Sequence, residues 1–362
     1  MRLSRRQGLV GILTGAGCRS APAEWRTLSA TGPRLSCLPF WVAMGGGLFA
    51  ERGLHIDFDL AEHPSRVVSP LERAEHDVAI IDAEALATLV SRRASVVVVG
   101  RLNHRTGANL VVDARHRRNL PSREASLTDR VQALRSLRIG MAPRVERQWA
   151  AVLASASSQL RPEVVRLYER DENLALAAGD VDGLFTTSPQ LEHALVRQGA
   201  LLYIAPSLGE VPALDEVDDW LAVAPRKSLE HRVVPLARFV SALEQARRLI
   251  VARPDLASHA LLEVLPDRLP AEVEAAFRIY AGTVPPSLRP RANSLRRTRR
   301  VLGLSASEAS FAQIDDLLDA RFTYAAERRP IPYRNLAGPT LAIASVGIAG
   351  WALRRHRSLT PH

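Results

Sequence analysis

The sequence predicts an α/β fold, and three observations carry that expectation. The stretch LHIDFDL at 54–60 alternates apolar Leu54, Ile56, Phe58 and Leu60 with His55, Asp57 and Asp59, the period of a strand. The stretch SVVVVGRL at 95–102 is a continuous apolar run, as a strand covered on both faces requires. Between such strands lie short helical stretches, so the chain reads as repeated strand–helix units with mainly parallel sheets.

Taken in order, the first unit holds three consecutive glycines, Gly45 to Gly47. They are no phosphate loop: no lysine followed by Ser or Thr stands where such a loop needs it, and Phe49 and Ala50 break the dinucleotide-binding spacing. Trp41 to Arg52 reads instead as a short helix stopped by Gly53, with the glycines letting it pack closely on its neighbours. Val78 to Ile81 is the next strand, and Asp82 caps the helix after it. ANLVVDA at 108–114 is a strand, 115–130 an Arg-rich loop, and 134–156 a strand, turn and helix. PEVVRLYE at 162–169 is a strand, and 171–199 run helix, strand, helix. AEHDVAIIDAEAL at 74–86 and AAGDVDGLFTTSPQL at 177–191 share one layout: helix end, Asp-Val, short strand, polar cap, helix. That echo implies two similar lobes, each pointing a helix N-terminus at a shared cleft. Beyond Trp220 the chain turns helical. Leu236, Phe239, Val240, Leu243, Ala246, Leu249 and Ile250 form one helix face, and prolines open helices at 254 and 270. Ser305 and Glu308 form a capping box for the last helix of the body.

The 362 residues carry a net charge of +10, and Lys227 is the only lysine. Aromatics make up 5% and do not interleave with the basic runs, which excludes a single-strand nucleic-acid binder; no nucleic-acid partner is expected. Two cysteines exclude a disulfide framework and a Cys-rich zinc site. The ten histidines lack metal-ligand spacing, so no metal or cofactor is expected and no catalytic grouping is seen. The acidic run Asp215-Glu216-Val217-Asp218-Asp219 reads as a solvated loop, and the arginines of 289–300 as a membrane-facing or solvated stretch. Residues 1–17 have the pattern of an export signal, with Ser4-Arg5-Arg6 resembling a twin-arginine start. Ala16-Gly17-Cys18 resembles a lipobox, making Cys18 the lipid attachment; Gly15 departs from it where leucine is usual. After a linker at 326–335, residues 336–353 carry no charge and precede Arg354, Arg355 and Arg357. They read as a transmembrane helix with a cytoplasmic tail at 354–362 and the body outside.

In this order the elements resemble the solute-binding proteins of ABC importers, in the family that includes sulfonate, taurine, nitrate and thiamine-pyrimidine binders. Pro39, Ala43, Gly47, Phe49, Gly53, Leu54 and Ile56 match the family's opening; Leu134 to Gly140 and Ala178 to Asp182 resemble its second-lobe motifs. The glycine expected ahead of Asp77 is missing, and Ser136-Leu137 interrupt the motif at 134–140. The resemblance implies a two-lobed periplasmic-binding-protein-like domain at 35–325, with lobe one at 35–112 and 213–325 and lobe two at 113–212. It implies capture of a small polar or anionic ligand in the cleft and delivery to an ABC permease in the membrane, without chemistry. Alternatives are a degenerate ligand-sensing or partner-binding module, or an enzyme of the same fold of the menaquinone-pathway lyase or pyrimidine-synthase type. Ligand contacts are expected from Ser36, Phe40, Trp41, Asp82 and Asn103 in lobe one, and from Arg144, Thr186, Thr187 and Ser188 in lobe two. Phe40 or Trp41 would stack on the ligand and Arg144 would take its anionic group.

Overall fold

The computed structural model describes residues 23–29, 34–60, 65–157, 161–304 and 314–328. Two five-stranded sheets form the two lobes. The first has the order β2 (Leu54–Leu60), β1 (Ala23–Ser29), β3 (Val78–Asp82), β10 (Trp220–Pro225), β4 (Val96–Arg101). The second has the order β7 (Glu163–Arg166), β6 (Arg138–Met141), β8 (Gly183–Thr186), β5 (Asn109–Val112), β9 (Leu201–Ile204). In each sheet four strands run in the same direction and the fifth, β10 or β5, lies antiparallel to both of its neighbours. The sheets are therefore mainly parallel, as expected, with one reversed strand in each. Each receives one strand from the far side of a crossing, and that strand runs the other way. The echo at 74–86 and 177–191 has a structural counterpart, because β3 and β8 hold the same third place in their sheets.

Every residue of β4 is buried, as its unbroken apolar run requires. Helix α9 (Val233–Ala252) buries the face from Leu236 to Ile250 that its periodicity marks. Helices α10 (Pro254–Val264) and α11 (Pro270–Tyr280) both open on their prolines. The first helix differs from expectation. Helix α1 spans Leu38–Gly45, and a separate 3-10 turn spans Ala50–Arg52 before left-handed Gly53. The break falls on the glycines, because Gly47 takes φ +67°. Gly45 serves close packing: a Cβ there would lie 1.8 Å from the carbonyl oxygen of Ala260 on α10. Gly45→Ala is accordingly expected to cost about 1–3 kcal/mol, read as a lowered urea midpoint. An unchanged midpoint would remove this reading of the glycines.

Two segments cross between the lobes, 102–108 and 205–219, and they bind one another. Asn103 Oδ1 accepts the backbone N–H groups of Asp219 (3.0 Å) and Trp220 (2.8 Å), and Arg105 Nε donates to Asp215 (2.6 Å). The acidic run is therefore not a solvated loop. Glu216 and Asp218 meet the fully buried Arg101 at 2.9 and 3.0 Å, and Asp219 turns into the cleft.

The expected transmembrane helix needs correcting. Among the described residues no helix is long and apolar enough to cross a membrane. The fold class is the two-lobed α/β domain without it. An uncharged run of 18 residues is near the minimum for a span, and Gly338, Gly347 and Gly350 lower its helical propensity. Residues 336–353, the export signal with Cys18, and the capping box at Ser305 and Glu308 all lie outside the described residues.

Candidate functional site

The cleft between the lobes is lined at the C-terminal ends of β3, β6 and β8 and at the start of β10. Four of the expected residues meet there: Ser36 and Asp82 from lobe one, Arg144 and Thr187 from lobe two. Asp82 ends β3, and its carboxylate accepts the N–H of Ala85, capping α3 (Ala83–Ser91). Arg144 lies in the 3-10 turn Pro143–Val145 between β6 and α5 (Glu146–Ser155).

The other expected residues stand one step behind. Phe40 is fully buried and packs edge-on against Trp41 at 5.2 Å, so neither ring lines the cleft; helix α1 turns its aromatic side into the core. Trp41 Nε1 donates to the carbonyl of Arg34 at 2.9 Å and so fixes that residue. Asn103 is buried in the crossing segments. Thr186 donates to Glu172, and Ser188 ties the lobes by accepting the Leu35 N–H at 3.0 Å while its own N–H donates to Tyr280 Oη at 2.8 Å.

The decisive side chain is one that sequence patterning does not flag. Arg34 precedes α1 in lobe one and reaches across the cleft. Its guanidinium donates to Thr187 Oγ1 and the Ser188 carbonyl at 3.1 Å, and pairs with Glu169 at 2.9 Å. Arg144 Nε donates to the same Glu169 carboxylate at 3.2 Å. Two arginines from opposite lobes thus share one carboxylate. Burial alone would raise Glu169, yet the Arg144 and Arg34 charges hold it below its usual range. The only hint in the sequence is a basic residue two places before Ser36.

The facing wall is acidic. Burial raises Asp82, and burial together with the Asp82 charge pushes Asp219 up to about 6. Glu84 is raised by burial and by Asp82. Behind the arginines, burial lifts Glu172 to about 7; it accepts the N–H of Ala142 at 3.1 Å and the hydroxyl of Thr186. A cavity of about 30 Å³ remains between the walls. A water needs roughly 10–15 Å³ of such space, so about two waters fit. The described cysteine, Cys37, is buried, and desolvation lifts its thiol to about 12, which keeps it protonated and a poor nucleophile. Among the described residues no group of His, Cys, Asp and Glu is placed to hold a metal ion.

All of the lining residues but Arg34 and Leu302 lie in the part of the chain that a family model recognises: the one described as NMT1/THI5 like matches residues 35–257, well over half of the sequence. The chain belongs to the NMT1/THI5-like family. No curated protein matches it in sequence. Solved structures of the same fold include three binding proteins. The periplasmic nitrate-binding protein NrtA of Synechocystis PCC 6803 is 10% identical, with 84% of this chain and 88% of that one covered and a TM-score of 0.60. The alkanesulfonate-binding protein SsuA of Xanthomonas axonopodis pv. citri, bound to MOPS, is 16% identical, with 85% and 98% covered and a TM-score of 0.54. The periplasmic aliphatic sulphonate-binding protein SsuA of Escherichia coli is 15% identical, with 83% and 97% covered and a TM-score of 0.56. At these identities the likeness establishes the shared two-lobed fold.

Proposed function

We propose that this NMT1/THI5-like protein is an extracytoplasmic solute-binding protein that captures a small polar or anionic molecule for an ABC importer and performs no chemistry of its own. The observation that carries the reading is the convergence of Arg34 and Arg144, from opposite lobes, on the Glu169 carboxylate. An oxyanion has the charge and the acceptor geometry to take the place of that carboxylate, and guanidinium forks are suited to holding it. Because one arginine comes from each lobe, such a ligand would favour the closed state by bridging them. Asp82 and Asp219 opposite offer acceptors, so the best ligand carries N–H or O–H donors beside its anionic group. The nitrate- and sulfonate-binding neighbours, and the protonated thiol of Cys37, are in keeping with binding rather than catalysis.

The test is a thermal-shift screen with nitrate, a short alkanesulfonate, an aminopyrimidine and amino acids, followed by calorimetry on each compound that raises the melting temperature. Arg144→Ala removes a charge-assisted hydrogen bond and should weaken binding by about tenfold or more. Equal affinity in the variant would defeat the assignment of Arg144. The small remaining cavity favours one second reading, a module whose cleft is filled by its own side chains and which binds a partner instead. A screen in which no compound shifts the melting temperature would select that reading.

A further inference from the structure

A second concave site lies on lobe one and shares no lining residue with the cleft. It is a groove of about 730 Å³ between α9, the loop 286–291 and the helix α13 (Arg321–Glu327). Four arginines line it: Arg247 and Arg248 from α9, Arg289 and Arg291 from the loop. Two carboxylates stand against them. Glu244, almost fully buried, accepts from Arg247 at 2.7 Å and from Arg248 at 2.8 Å. Glu327 accepts from Arg289 and from the Ser287 hydroxyl. Arg291 stands 3.9 Å from the Glu216 carboxylate, which already takes Arg101 at 2.9 Å. Among the described residues lining it, four guanidinium groups thus face two carboxylates, an excess of about two positive charges.

These guanidinium groups are also held in place. Pro286 and Pro290 restrict the loop on both sides of Arg289. The Arg289 guanidinium lies 3.6 Å over the Tyr324 ring, a cation–π contact that fixes its plane. Glu244 fixes the two helical arginines as a pair. Fixed forks lose little freedom on meeting an oxyanion, which is where preorganisation adds affinity. The volume falls in the range of small-molecule sites, well above what a bare inorganic anion needs.

We propose that this groove is a binding site for a phosphate monoester: the dianionic phosphate matches the two unbalanced charges, and the Tyr324 side of the groove covers the organic part. The phosphate can belong to a soluble ester or to a lipid headgroup such as phosphatidic acid. The inference stands apart from the function proposed for the cleft.

The experiment uses the full chain. Calorimetry with inorganic phosphate and glycerol phosphate reads the soluble source; flotation with phosphatidylcholine vesicles, with and without phosphatidic acid, reads the lipid source. Arg291→Gln alters a half-exposed, loosely paired side chain and should leave the fold intact. Arg289→Gln removes the stacked fork. Each should raise the dissociation constant about tenfold, the worth of one charge-assisted contact. Binding of the soluble esters that is weakened in both variants and unchanged in Arg144→Ala supports a site for soluble esters. Binding of phosphatidic-acid vesicles alone, with the same sensitivity, supports a headgroup site. The proposal is overturned if neither probe binds, if both groove variants bind as well as the native chain, or if Arg144→Ala abolishes the binding, which would place the phosphate in the cleft.

Discussion

Arg101→Met is expected to lower the stability of the protein by about 3–5 kcal/mol, because it leaves the buried Asp218 carboxylate without its cation. Arg101 ends β4 and is wholly out of solvent. Its Nη1 donates to Glu216 (2.9 Å), Asp218 (3.0 Å) and the Ser294 hydroxyl (2.9 Å), and its Nε donates to the Ser287 carbonyl (3.3 Å). One side chain thereby joins the first sheet to a crossing segment and to α12 (Ala292–Leu302). Burial pushes Asp218 up to about 7, with the Arg101 charge pulling the other way. Without Arg101 the carboxyl escapes part of the penalty by taking a proton, so the loss should be larger at pH 8 than at pH 6. Urea unfolding at the two pH values reads both quantities. The double variant Arg101→Met/Asp218→Asn should lose less than the sum of the two single variants, since the pair interacts directly. A loss below about 1 kcal/mol in Arg101→Met, or strict additivity, would show that the buried pair does not hold the crossing in place.

The lobe pattern is legible in the sequence wherever side-chain periodicity reports burial. The seven apolar residues on one face of α9, the unbroken run of β4 and the Gly53 stop all follow from local rules, and the Asp-Val echo marks two strands in equivalent places. Strand direction was less legible, because β5 and β10 have the same apolar composition whichever way they run. The cleft was legible in part. Asp82, Arg144 and Thr187 sit at strand ends, where topology places ligand contacts. Arg34 and Asp219 were not legible, because their meaning depends on partners far along the chain: Arg34 meets Glu169, and Asp219 ends an acidic run whose other members meet Arg101 and Arg105. A charged residue in a polar run looks the same whether water or a distant guanidinium receives it. Phe40 and Trp41 were misjudged for the converse reason. Aromatic rings near a cleft suit a ligand, but α1 packs against α9 and α10 and turns both rings inward.

Glu172→Gln is expected to make the protein more stable at pH 8 and to leave it unchanged at pH 4. Glu172 opens α6 (Glu172–Ala178) and is nearly out of solvent behind the cleft arginines. Burial lifts it to about 7, against roughly 4.3 for an unfolded glutamate. The native state therefore keeps a proton that the unfolded chain has released, and its stability falls as pH rises from about 4 to about 7. At about 1.4 kcal/mol per pH unit the whole window is worth about 3–4 kcal/mol. Glutamine has the shape of the protonated acid and does not ionise. Its carbonyl can accept the Ala142 N–H, and the Thr186 hydroxyl can turn to accept from its amide. The difference between variant and native chain, measured by urea unfolding at several pH values, should rise from near zero to several kcal/mol across that window. Taking the difference cancels the opposite slopes of Glu169 and Asp182, whose arginine partners hold them low. A difference that does not vary with pH would mean that Glu172 titrates alike in the native and the unfolded chain, so that burial does not raise it. A rising difference would mean that the protein keeps a destabilising carboxyl behind its cleft arginines. Its structural partners there are the Thr186 hydroxyl and the Arg144 charge.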